Sequence, residues 1–266
     1  MFPVKAKKNF GQHFLKDENI ANRVSETLND FPSLPVLEVG AGTGMLTKHL
    51  LKRDIDLKVV EIDIESITYL KEHFPELEGK IIQKDFLKMN LSDYYDAEFC
   101  IIGNFPYNIS SQIFFKVLDN KDSIPFCSGM IQKEVAERMA APPGNKTYGI
   151  LSILLQVWYD IEYLFTVHEN AFIPPPKVKS AVVKLTRNNR VKLNCNEKLF
   201  KTVVKTSFNQ RRKMLRNSIK SLLSEKSSLP DDPLFTKRPE QLSIEQFELL
   251  TNMLEPLIAS TNNNQK

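Results

Sequence analysis

Cysteine is scarce in this chain: three in 266 residues, at Cys100, Cys127 and Cys195, with no CxxC spacing. An odd, scattered set builds no disulfide framework and no zinc site, so the thiols read as reduced and the compartment as cytoplasmic. Histidine is equally sparse, and His49, His73 and His168 share no ligand spacing, so no metal is expected. No apolar run approaches the ~20 residues that cross a bilayer. The opening MFPVKAKKNFGQHF lacks the apolar segment of a secretory leader, and no membrane contact is expected. Internal repeats are absent, and the tail STNNNQK is the one low-complexity stretch.

What is present is an ordinary globular composition, 42% apolar and 26% charged, with an uneven charge distribution. Lys177 to Lys226 holds fifteen Lys and Arg against Glu197 and Glu225, a balance of +13 within a chain of net charge +4. A polyanion is the natural partner for that segment; the alternative is a solvated helical face.

The first two thirds alternate short Val- and Ile-rich runs with amphipathic stretches. VLEVG (36–40), LKVVEID (57–63), KIIQKDF (80–86) and FCIIG (99–103) read as strands. MLTKHLLKR, IESITYLKEHF and SSQIFFKVLD between and after them have helical spacing. SGMIQKEVAERMA predicts a fifth strand and a helix, GILSILLQVWYDIEYLF a helix entering a sixth strand, and SAVVKLTR (180–187) a final strand. The alternation predicts an α/β fold: a mainly parallel sheet with helices on both faces. From residue 188 the pattern is helical, in NEKLFKTVVKTSF, RRKMLRNSIKSLL and SIEQFELLTNML, whose Ser243 and Gln246 form a capping box. We therefore expect a catalytic domain over 1–187 with an arm over 1–20, a small helical domain over 188–255 and a frayed tail over 256–266. Nothing marks a homo-oligomer interface, so a monomer is the default.

Chemistry concentrates at strand ends. Gly40, Gly42 and Gly44 follow a strand, letting backbone approach a ligand. The dinucleotide fingerprint requires a third glycine where Met45 stands, so a pyrophosphate is disfavoured. This loop, with Glu38 before it, better suits S-adenosylmethionine. Glu61, ending the second strand, can accept from both ribose hydroxyls, and Asp85, after the third, from an adenine amine beside Phe86. The fourth strand ends in Asn104, Phe105, Pro106 and Tyr107. The Asn104 side-chain oxygen and the Phe105 carbonyl can each accept a hydrogen from an exocyclic amine. Pro106 stiffens the turn, and Tyr107 offers a ring on which a base can stack. Such an amine is a poor nucleophile because its lone pair is conjugated into the ring. Two acceptors that draw it toward tetrahedral geometry aim the lone pair at a sulfonium methyl without a strong base or metal.

Taken together, NFGQHFL, LEVGAGTGMLT, VVEID, KDFL, NFPYNIS, FIPPPKVKSAVVKL and FNQRRKMLRNSIK resemble the rRNA adenine N6-dimethyltransferase family, most closely its bacterial small-subunit branch, from about Lys7 to Ile244. The resemblance implies a Rossmann-like class I S-adenosylmethionine-dependent methyltransferase sheet. It implies dimethylation of two adjacent adenosines near the 3′ end of small-subunit rRNA in a ribosomal assembly intermediate. Carried onto this sequence, it places the cofactor at His13, Leu15, Gly40, Glu61, Asp85 and Asn104, and the base between Tyr107 and Phe172. The family has Asn where His13 stands and Leu where Phe105 stands. Phe172, ahead of three prolines, reads by itself either as a base-holding aromatic or as a core residue. Lys177, Lys179, Arg211, Arg212, Lys213 and Arg216 are the expected RNA contacts, the last four on one helix, with Lys5, Lys7 and Lys8 in the arm also in reach. Two other readings are open: a large-subunit, macrolide-resistance type of methyltransferase, and a non-catalytic RNA-binding relative.

Overall fold

The computed structural model describes residues 4–7, 10–223 and 227–262. In chain order its elements are β1 (Phe14–Leu15), α1 (Glu18–Glu26), β2 (Val36–Val39), α2 (Thr47–Leu50), β3 (Leu57–Glu61), α3 (Ile64–His73), β4 (Ile81–Gln83), β5 (Cys100–Asn104), α4 (Ser110–Asp119), β6 (Phe126–Gln132) and α5 (Lys133–Ala140). There follow α6 (Ile150–Gln156), β7 (Tyr159–Val167), β8 (Phe172–Ile173), β9 (Ser180–Arg187), α7 (Glu197–Asn209), α8 (Leu215–Ser218) and α9 (Ile244–Asn262). Two compact units result: Met1–Glu137 with Tyr159–Asn188, and Arg138–Trp158 with Asn189–Lys266.

The first unit holds a seven-stranded sheet in the order β4-β3-β2-β5-β6-β9-β7. The first five strands run parallel, and β9 runs antiparallel to both of its neighbours, β6 and β7. Central strands are buried on both faces, as expected of near-continuous Val and Ile runs: Val36, Val59, Ile101 and Ile102 are fully or almost fully inaccessible. A two-residue ladder, β1 with β8, was not expected from the sequence; it pairs Phe14 with Ile173 and Leu15 with Phe172.

The second unit is helical. Phe247 of α9 stacks on Phe208 and meets Phe200 edge-on, both from α7, while Tyr148 packs edge-on against Phe208. Ser243 Oγ accepts from the Gln246 N–H and Gln246 Oε1 from the Ser243 N–H, the expected capping box. Three expectations are corrected here. The span 1–187 is not one continuous domain, because Arg138–Trp158 leaves it for the helical unit. Its Gly144 N–H bonds the Glu240 carbonyl at 2.7 Å, and Tyr148 is buried on Phe208. Nor does one helix carry all four cations of QRRKMLR. Helix α7 stops at Asn209, Arg211 to Lys213 form a turn, and Arg216 lies on α8. Asn209 to Lys213 is a polar run with no apolar side chain to hold another helical turn on the core. Residues 256–262 of the expected frayed tail are helical, since α9 runs to Asn262, and 263–266 lie outside the described residues.

Glu38, inside β2, turns toward α2 instead of a ligand, and accepts from Thr47 Oγ1 at 2.7 Å. Burial pushes its carboxyl up to about 8, against the lowering effect of the Thr47 bond. The folded protein thus keeps a proton that the unfolded chain releases near the ordinary value of 4.5. Stability from this group is highest at low pH and is lost as pH rises toward and through 8. Glu38→Gln keeps an acceptor for Thr47 but does not titrate. Its thermal midpoint is expected to fall less than the wild type's between roughly pH 5 and 9, by several degrees. Parallel pH profiles for the two proteins would show that Glu38 is not the titrating group.

Candidate active site

Strands β2 and β5 are neighbours, yet the chain runs from β2 to β3 and β4 on one side and from β5 to β6 on the other. At such a switch point the loops after the two strands diverge and open a crevice at their carboxyl ends. Here the loops are the glycine turn after Val39 and the Asn104–Tyr107 turn. One cavity in the crevice is lined by Gly40, Gly42, Glu61, Asp85, Asn104, Phe105, Pro106, Tyr107 and His13, so strand-end residues distant in sequence converge.

Gly42 has φ of +56°, and a Cβ there would lie 2.8 Å from the Phe14 ring. Its N–H donates to Glu61 Oε2 at 2.9 Å, while Glu61 Oε1 accepts from the N–H groups of Ile62 and Asp63 at 2.8 and 3.0 Å. Burial raises the Glu61 pKa and these backbone donors lower it. A carboxylate offers about four lone-pair sites, so acceptor capacity remains for a vicinal diol. Asp85 Oδ1 takes the Leu87 N–H at 3.0 Å, and Oδ2 lies 3.8 Å from Lys88 Nζ, a long, exposed ion pair that leaves Oδ2 able to accept from a further donor. These groups fit the ribose and the adenine amine of an adenosyl cofactor.

Over this cavity lies the N-terminal arm. Phe10, Gly11, Gln12 and Phe14 line it, residues that sequence reasoning did not single out. The arm is latched to the end of β3: Lys7 Nζ lies 2.5 Å from Asp63 Oδ1, and Gln12 Nε2 donates to Asp63 Oδ2 at 3.1 Å. Burial pushes Asp63 up, but its bonds to Lys7 and Gln12 outweigh this and hold the carboxyl below its usual value.

The Asn104–Tyr107 turn is similarly braced. Asn104 Nδ2 donates to the His13 carbonyl at 2.9 Å, which fixes the amide so that Oδ1 points elsewhere and can accept. The Tyr107 hydroxyl is hydrogen-bonded to Ser180 Oγ, and its ring lies 5.2 Å from that of His13. Burial raises the phenol's pKa, so Tyr107 stays neutral at physiological pH. His13 Nδ1 is 2.8 Å from the Pro174 carbonyl, a contact that requires Nδ1 to carry the proton. Phe105 is 1% exposed, and its ring covers Gly103 and Gly129, which pair directly across β5 and β6. A Cβ on Gly129 would come within 2.7 Å of that ring. Two positions without side chains therefore take up the bulk of phenylalanine.

The family model for ribosomal RNA adenine dimethylase matches residues 4–254 of this chain. The chain belongs to that family. The protein named Ribosomal RNA small subunit methyltransferase A from Parabacteroides distasonis is 67% identical over 250 residues, 93% of each chain. Its namesake from Porphyromonas gingivalis is 57% identical over 257 residues, 96% of this chain and all of the relative. Among solved structures, a dimethyladenosine transferase from Plasmodium falciparum superposes with a TM-score of 0.74 at 25% identity, covering 94% of this chain and 98% of that one. The 23S rRNA methyltransferase ErmE gives 0.65 at 25% identity, over 90% and 99%. The methyl donor of this dimethylase family is S-adenosylmethionine, in keeping with the adenosyl-shaped features of the cavity.

Two residues assigned to the dimethylase site by resemblance stand apart from the cavity. Leu15 and Phe172 pair across the β1–β8 ladder and belong to the buried core cluster with Val167 and Ala171. Phe172, 1% exposed, presents no free ring face, so of its two readings the structure has the core one. The core gains a large aromatic there because the ladder turns residue 172 inward. Lys177 and Lys179 are exposed beyond it. In the helical unit Arg212, Lys213 and Arg216 are exposed, whereas Arg211 is half-buried and donates to the Asn145 carbonyl at 3.4 Å. Lys5 is exposed, Lys7 is half-buried and held by Asp63, and Lys8 lies outside the described residues.

Proposed function

We propose that this chain transfers methyl groups from S-adenosylmethionine to N6 of two adjacent adenosines near the 3′ end of small-subunit rRNA, twice each, during ribosome assembly. The observation that carries the reading is the braced Asn104 amide at the switch point, beside a Glu61 carboxylate built to hold a ribose. The 57–67% identity to small-subunit methyltransferases over nearly the whole of both chains supports the choice of substrate.

When bound, the cofactor supplies an electrophilic sulfonium methyl. The protein's part is positional. Glu61 and Asp85 hold the adenosyl portion, and the Asn104 oxygen and Phe105 carbonyl accept from the target amine and aim its lone pair. Tyr107 stacks the base, and the arm from Phe10 to Phe14 excludes water. An adenosine must be unstacked to enter, which favours loop sites. Exposed Lys177 and Lys179 in the sheet unit, and Arg212, Lys213 and Arg216 in the helical unit, suit phosphate contacts. Cys100 and Cys127 are free, buried thiols, consistent with a reducing cytoplasm, and among the described residues no helix is long and apolar enough to cross a membrane.

The test supplies labelled cofactor with undermethylated small and large ribosomal subunits and maps the modified bases. We expect label at two neighbouring adenosines of the small-subunit RNA. Label confined to the large subunit would assign the chain to the other branch of its family, and none in either would favour a non-catalytic RNA-binding role.

A further inference from the structure

We propose that Lys116 is a positioning residue for the adenine end of the cofactor site. The proposal rests on the reading of Asp85 as the acceptor of the adenine amine.

Asp85 opens a single tight turn, Asp85–Met89. The N–H groups of Lys88 and Met89 donate to the Asp85 carbonyl at 3.0 and 3.1 Å, and the Leu87 N–H donates to its carboxylate at 3.0 Å. A lone turn is unstable in isolation, because few bonds are made for the dihedrals fixed, and its terminal carbonyls need outside donors. Lys116, in the second turn of α4, supplies them. Its Nζ donates to the Leu87 carbonyl at 3.1 Å and to the Met89 carbonyl at 2.5 Å. The same ammonium lies 5.4 Å from the centroid of Phe86, whose buried ring lines the cavity.

One cation thus holds the far end of the turn that Asp85 begins, and steadies the aromatic between them. Without it the Asp85 carboxylate would keep its local bond to Leu87 and its 3.8 Å ion pair with Lys88, both within the same loosened turn, but lose its fixed direction into the cavity. Helix α4 also follows directly from the Asn104–Tyr107 turn, so Lys116 ties the adenine end to the element that leads out of the amine-binding end. Lysine suits this task because a partly buried ammonium carries several donors on a long apolar stem.

The test uses Lys116→Met, which keeps the unbranched apolar stem and loses every donor, and Lys116→Arg, which keeps charge and donors. Calorimetry compares S-adenosylhomocysteine with S-inosylhomocysteine, whose purine carries a carbonyl oxygen in place of the amine. Wild type should prefer the adenosyl form, because a carboxylate that accepts from an amine is left facing an acceptor in the inosyl form. Lys116→Met is expected to weaken the adenosyl ligand about tenfold and the inosyl ligand less than about twofold, with Lys116→Arg within about threefold of wild type for both. At saturating cofactor its kcat should stay within about twofold of wild type, since the amine-binding turn is intact. Equal weakening of both ligands, or no weakening of either, would overturn the proposal. Asp85→Ala separates the two layers. Discrimination lost in Asp85→Ala but kept in Lys116→Met removes Lys116 alone. Discrimination unchanged in Asp85→Ala removes the adenine reading and the proposal with it.

Discussion

Replacing Asn104 by alanine is expected to reduce methyl transfer at least about a thousandfold while RNA affinity stays within about twofold. The amide is asked for two things. Its N–H bonds the His13 carbonyl, and that bond directs its oxygen away from the arm, where the incoming amine can meet it. Alanine removes both, so the lone pair of the amine stays conjugated and the arm loses a tether. Asn104→Asp separates the two losses, since it keeps an acceptor but sets a carboxylate oxygen against the His13 carbonyl. Single-turnover rates with saturating cofactor measure the chemical step directly. Near-normal turnover in Asn104→Ala would refute the role given to the amide.

Glu61→Ala is expected to weaken S-adenosylmethionine binding about a hundredfold or more. The carboxylate anchors the N–H groups of Gly42, Ile62 and Asp63, and in the buried site each loses its acceptor at a cost of about 1–3 kcal/mol. Loss of the ribose contact adds to a loosened glycine turn, and a hundredfold corresponds to about 2.8 kcal/mol. Glu61→Gln keeps one acceptor oxygen but turns an amide N–H₂ toward backbone donors, and should fall between wild type and alanine. Calorimetric titration of the folded variants, checked by circular dichroism, decides the matter. Binding by Glu61→Ala within about threefold of wild type would mean that the carboxylate serves the loop alone.

Much of this arrangement was legible in the sequence, because strands buried on both faces announce themselves as Val and Ile runs and the candidate site residues sit where those runs end. Glu61, Asp85 and Asn104 were found that way, and the structure brings them to one cavity. What was not legible depends on contacts made across the fold. A two-residue ladder such as β1–β8 has no periodicity to detect, so nothing in the sequence decided between the base-holding and the core reading of Phe172. How Phe105 is accommodated where the family has Leu depends on strand order, which pairs Gly103 with Gly129 beneath its ring. The basic run at 211–216 promised a continuous helix on charge and spacing, but five polar residues in succession gave the core nothing to hold. Glu38 reads like a cofactor ligand by its distance from the glycines, yet the alternation of β2 sends it to Thr47.

The most direct test of the account is nucleoside mass spectrometry of small-subunit rRNA after reaction of an undermethylated assembly particle with the protein and S-adenosylmethionine. N6,N6-dimethyladenosine is expected at two adjacent positions, four methyl groups in all, and none with Asn104→Ala. Methylation of a ring carbon, or of any base other than adenine, would contradict it.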